Sequence, residues 1–312
     1  MFDALIFIRA IHFAATAAVT GGVLFLVFVY RPALQENRGG GPAPAIRAFA
    51  WSGLLIAALS GAGWLILQTV YMSGLSAAEV LAERAVWTTL SQTGFGHIWI
   101  VRAAIWIALA LAFLWLDVER RARWAGMPVA LLAAAFAGAL AWAGHAAASE
   151  GILGSVHVAA DALHVVAAAA WVGALIPLAL ALGVAAREHH VRALTAACSV
   201  TLRFSSFGIA CVATVVLTGA VNTWMLAGSV DALVGTAYGR LLLIKIALFL
   251  CMLMIAAINR QRLTPRLVDA DDAGAGKRAL NRLRRNSLIE VALGAIILCI
   301  VGALGILPPG AE

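Results

Sequence analysis

Charge is scarce in this chain: Asp, Glu, Lys and Arg make up only 12% of its 312 residues. That is about half the share of an ordinary globular protein, too little to cover the surface of a soluble fold of this length. Cysteine is almost as sparse. Cys198, Cys211, Cys251 and Cys299 form no CxxC pair and fall inside apolar runs, so neither a disulfide framework nor a paired-cysteine metal site is expected. No phosphate-binding glycine-rich loop and no nucleophile elbow occurs, which argues against an ATP-driven pump. The first apolar run has no basic leader, since Asp3 comes first, and is too long for the core of a signal peptide.

What is abundant is apolar: 63% of residues are hydrophobic and the mean hydropathy is +0.96. A helix needs roughly 20 apolar residues to cross a bilayer core, and eight runs are long enough: 5–30, 48–71, 97–116, 127–148, 155–184, 200–226, 239–258 and 287–307. The fold class is therefore all-α, a polytopic transmembrane bundle of eight helices. Glycine and alanine are frequent in the runs, which permits close helix contacts where burial against lipid gains nothing.

Orientation follows from the basic residues. Sixteen of the 22 lie after the first, third, fifth and seventh runs, against Arg84 and Arg240 on the other side. Both termini are expected to be periplasmic. The net charge of +7 arises mainly from 260–285, read as a solvated inner loop near anionic lipid headgroups. Trp64, Trp87, Trp99 and Trp224 fit an outer aromatic belt.

The chain repeats itself in outline. Thr93-Gly-Phe95-Gly96-His-Ile-Trp-Ile-Val-Arg102 precedes and opens the third run, and Thr236-Ala-Tyr238-Gly239-Arg-Leu-Leu-Leu-Ile-Lys245 does so at the seventh. His12 stands nine residues before Gly21, as His164 does before Gly173, and Ser60-Gly61 answers to Thr218-Gly219. Two four-helix halves, 1–150 and 151–312, are expected with the same orientation, a parallel repeat of a kind whose sites form where the halves meet.

Polar groups inside spans are costly and face the bundle interior or a water-filled cavity. His157, Asp161 and His164 lie at i, i+4 and i+7 of the fifth run, on one stripe roughly 60° wide that Trp171 continues. His12 is at matching depth, and His97 and His145 stand at the same, outer rim. Neutral imidazole is a good ligand for copper, zinc or iron, with Asp161 able to orient a ring through its other nitrogen. The expected metal ligands are His145, His157, His164 and His12, with Asp161, Arg9 and Trp171 around them. Met72 and Met225, at the outer ends of the second and sixth runs, are candidate soft ligands that would favour Cu(I). Cys251, Met252 and Met254 could serve further in, although an ordinary lipid-facing or packing role explains them better. Arg9 occupies the repeat position of Asp161 and would neutralise it if the first and fifth spans pack together. Arg102 and Lys245 are expected to snorkel to the outer interface.

The segment from Thr236 to Lys245, followed by Ala257-Ile-Asn259-Arg260, resembles the C-terminal signature of the CopD family of copper-resistance membrane proteins. Gly144-His145-Ala146, then His157, Asp161, His164 and Trp171-Val-Gly173, resembles that family's central pattern. The resemblance covers essentially the whole chain. It implies copper handling across the bacterial inner membrane, usually import from the periplasm, with functional roles for His145, His157, Asp161 and His164. It also implies a periplasmic CopC-like copper carrier as partner, here a separate chain, because no fused CopC-like domain is read in this sequence. The protein is then not an enzyme. An alternative stays open: His12 and His164 as the two axial ligands of haem b in a membrane redox protein or oxidase, since the first span is also similar to that of HemJ-type protoporphyrinogen oxidases. A third reading is a structural subunit whose histidines only pack.

Overall fold

The computed structural model describes residues 2–36, 42–118, 126–144, 151–188, 191–269 and 272–308. Among these no strand occurs, and eight helices are long and apolar enough to cross a membrane. In chain order they are built from α1 (Phe2–Leu24), which continues through a π turn (Phe25–Tyr30) into α2 (Arg31–Glu36); α3 (Ala43–Ser73); two short helices, α4 (Ala77–Ala82) and α5 (Ala85–Gln92); α6 (Gly94–Val118); α7 (Gly126–Gly138); α8 (Gly151–Arg187); and α9 (Val191–Ala227). After the short α10 (Val230–Gly235) come α11 (Ala237–Ile258), a second π turn (Asn259–Leu263), α12 (Thr264–Val268) and α13 (Ala273–Leu304).

The ends follow local chemistry. The Thr236 hydroxyl accepts from the backbone N–H of Gly239 at 2.9 Å and starts α11, relieving one of the unsatisfied donors of a helix N-terminus. Thr93 binds the N–H of Gly96 at the same distance and opens α6. Gly74, with φ of 72°, closes α3 in the left-handed conformation.

Two boundaries depart from the sequence expectation. Asp272 accepts from the N–H of Ala275 at 2.7 Å and starts α13 well before residue 287, so much of the basic segment read as a loop is helix. The fourth span leaves α geometry at Gly138, runs as a 3₁₀ turn (Ala139–Ala143), and ends in extended backbone at Gly144. Pro177 sits inside α8; neighbouring helices make such a break tolerable in a membrane bundle.

α1 and α8 form the centre of the bundle and are its most buried spans. They meet at two glycines. A Cβ on Gly21 would overlap the backbone of Gly173, and a Cβ on Gly173 would overlap the carbonyl of Ala17. Only hydrogen at both positions allows the backbones to touch, the small-residue contact favoured between membrane helices. Around this crossing α1 packs on α3, α7 and α13, and α8 packs on α9, α13 and α7. The expected halves are thus joined through their first helices.

Candidate functional site

His12 and His164 lie in very different surroundings. The Ser60 hydroxyl donates to the Ile56 carbonyl at 2.6 Å, so it accepts from His12 Nδ1–H at 3.1 Å. That leaves Nε2 as the lone-pair nitrogen, and Arg102 Nη2 donates to it at 2.8 Å, while Arg102 Nη1 donates to the Phe136 carbonyl. The ring is walled by Trp64, Trp99 and Phe136, with centroids 5.5, 5.8 and 6.4 Å away. Trp99 is fixed in turn by its indole N–H on the Gly61 carbonyl at 3.0 Å. Every polar atom of the His12 ring is engaged and the space around it is full.

His164 starts from the same pattern and ends differently. The Thr218 hydroxyl donates to the Thr214 carbonyl at 2.6 Å and accepts from His164 Nδ1–H at 3.1 Å. Gly219 lies against Cε1 of His164 as Gly61 lies against Cε1 of His12. The other nitrogen, Nε2, has no hydrogen-bond partner among the described residues. Its hydrogen-bonded neighbour fixes the tautomer, so Nε2 carries an available lone pair. His164 lines a cavity of about 790 Å³ bounded by α1, α8, α9, α11 and α13.

The space beside His164 lacks the two indoles that fill the space beside His12. In the register that pairs Ser60 with Thr218, Trp64 pairs with Asn222; in the register of the two Thr-aromatic-Gly segments, Trp99 pairs with Leu242 and Arg102 with Lys245. Around His12 and His164, Leu5 pairs with His157, Arg9 with Asp161 and Phe13 with Val165. Two indoles and a phenyl give way to smaller groups, and α9 and α11 barely touch. What remains is a roomy, mostly apolar chamber with a few convergent polar groups, the usual make-up of a ligand site.

His157 is fully buried, and it lines the cavity together with Asp161, His164 and Trp171. Asn222 Nδ2 donates to Asp161 Oδ1 at 3.0 Å, and Lys245 and Tyr238 also line the chamber. The stripe read on the fifth run thus faces one enclosed space.

Other expectations fare differently. His12 does not reach the cavity. His145 lies outside the described residues, while Gly144 before it lines the chamber beside Asp161. Met72 is half-exposed, and neither it nor Met225 lines the cavity. Arg9 reaches the chamber but does not pair with Asp161; its guanidinium lies 4.6 Å from the Trp64 ring centroid. Arg102 is buried on His12 and Lys245 lines the chamber, so neither snorkels. Trp64 and Trp99 are core residues, not belt residues, whereas Trp87 and Trp224 are exposed. Met252 is buried at the cavity floor, while Met254 and Cys251 point outward. Among the described residues no three of His, Cys, Asp and Glu come together as a ready metal cluster. The haem reading gains nothing, because His12 has no nitrogen to offer and shares no space with His164. Sequence reasoning missed Asn222, whose only signal was its position one helical turn beyond Thr218.

Fold and site together define a multi-pass membrane protein with a polar-lined chamber between α1, α8, α9, α11 and α13. Comparison with known proteins supplies the family. Residues 198–304 match the family described as copper resistance protein D, and residues 1–155 match the copper resistance protein D-like N-terminal domain. Copper resistance protein D of Pseudomonas syringae pv. tomato is 32% identical over 301 residues, covering 94% of this chain and 92% of the relative. Inner membrane protein YebZ of Escherichia coli (strain K12) is 32% identical over 72% of each chain. Copper transport protein CutJ of Bacillus subtilis (strain 168) is 30% identical over 80% of this chain and 45% of its own length. No solved structure matches. The chain belongs to the copper resistance protein D family and is a multi-pass protein of the inner membrane.

Proposed function

We propose that the protein binds copper in the chamber of its second half and carries it across the inner membrane, acting as a carrier and not as an enzyme. The observation that carries this reading is the open Nε2 of His164, held in the ligating tautomer by Thr218 and facing a chamber that also contains His157 and Asp161. Imidazole nitrogens suit copper, and a carboxylate beside them offsets its charge. His145 is proposed as a third ligand. His12 is left out of the set, because Arg102 occupies the nitrogen it would use.

The asymmetry of basic residues supports entry from the periplasmic side, with both termini there. A separate CopC-like carrier is the proposed donor. The paired hydrogen bonds His12 to Ser60 and His164 to Thr218 support an origin by duplication, after which one half became packing and the other a site.

The test is metal analysis of purified protein by mass spectrometry, beside His164→Ala and His12→Ala. Copper bound to the wild type is expected to fall at least about tenfold in His164→Ala, the equivalent of 1.4 kcal/mol, with the helical circular dichroism unchanged. Equal copper in both would remove His164 from the site.

A further inference from the structure

Beyond the floor of the chamber lies a second polar group inside the bundle. Val172 and Met252 close over Gly294 at the floor. Glu290 stands four residues earlier on α13, one turn further along the same face. It is only 2% exposed. Asn259 Nδ2 donates to its Oε1 at 2.8 Å, and Asn286 Nδ2 donates to Asn259 Oδ1 at 2.7 Å. Asn259 opens the second π turn, a local irregularity often found at functional positions.

Two amides hold this carboxyl in place, but neither can balance a negative charge. The elements packed against α13 do carry charges at this end: Arg187 on α8, Arg203 on α9, Arg260 and Arg262 in the π turn, and Arg266 on α12. On α13 itself there are Lys277, Arg278, Arg282, Arg284 and Arg285. Arg260 donates to Ser205 and Arg284 packs on Gly183. Among the described residues the carboxyl's hydrogen-bond partner is the Asn259 amide, and no cation pairs with it. A buried carboxylate without a cation is costly, and intramembrane acids mark ion pathways and proton relays.

We propose that Glu290 is a proton–copper exchange site at the end of the pathway away from His164, and that it couples copper movement to a counterflow of protons. With no metal present, the carboxyl holds a proton. When a copper ion passes the Met252 floor, the O–H bond breaks, the carboxylate oxygen takes the ion, and the proton leaves to water on the side the ion came from. When the ion leaves on the other side, a proton returns from that side. The inference rests on the copper reading above and deepens it by assigning the coupling ion.

The experiment uses the full chain in proteoliposomes, with copper as the added ion and a lumenal pH dye as readout, beside Glu290→Gln. Glutamine keeps the shape and still accepts from Asn259. Wild type is expected to show copper influx with lumenal alkalinisation. In Glu290→Gln, both flux and dye signal should fall at least tenfold, with the helical circular dichroism unchanged. Flux and dye signal equal to wild type in Glu290→Gln would overturn the proposal, as would wild-type influx without a pH change. Wild type that binds no copper would instead overturn the chamber itself, and the exchange site with it.

Discussion

Two histidines with the same hydroxyl partner carry opposite duties. His12 Nε2 accepts from a buried guanidinium, whereas His164 Nε2 is open. Replacing His12 with alanine therefore strands the Arg102 Nη2 donor in a dry core, a loss of about 3 kcal/mol for a buried charged donor deprived of its acceptor. Denaturant unfolding in detergent should show that loss while copper per folded protein stays as in wild type. The reverse pattern is expected of His164→Ala, with copper lost and stability nearly kept. The stripe of His157, Asp161 and His164 was legible because helical periodicity alone puts i, i+4 and i+7 on one face. The duty of His12 was not, since its partner Arg102 is 90 residues away.

At the scale of elements, the contact of α1 with α8 sets where everything else sits. Because Gly21 and Gly173 admit no side chain, Gly173→Leu is expected to force the two central helices apart and to prevent assembly. The measurement is the yield of monodisperse protein in detergent and its melting temperature, both of which should fall sharply; an unchanged melting curve would mean the crossing tolerates separation. The matched His-to-Gly spacing in the first and fifth runs pointed to these glycines, but not to their touching each other. Element ends were less legible. The start of α13 at Ala273 depends on the Asp272 cap, a signal masked by the surrounding charges. The early end of α7 has no strong residue signature, since Ala139–Ala143 is as apolar as the helix before it.

For the whole molecule, the deciding feature is that the space beside His12 is filled and the space beside His164 is not. Trp64 and Trp99 occupy the space that Asn222 and Leu242 leave open. Leu242→Trp should restore the missing indole in α11 and fill part of the chamber. Copper binding is expected to drop by roughly the tenfold or more typical of disturbing the surroundings of a metal site. The far-ultraviolet circular dichroism and detergent melting temperature should hold, because a cavity accepts added volume that a packed core would refuse. Copper binding equal to wild type would show that the metal uses a different part of the chamber.

The sequence by itself determined that this is a membrane bundle of eight spans. Scarce charge and runs of apolar residues leave no other way to satisfy the backbone and hide the surface. It also determined which stripe of the fifth span is polar, because a helix has a fixed period. Only the tertiary structure decided that His164 is open and His12 closed. That choice depends on which distant side chains fill the volume beside each ring, and on the tautomer their hydrogen bonds impose. Volume and hydrogen-bond saturation belong to packed helices together, and no single segment carries them.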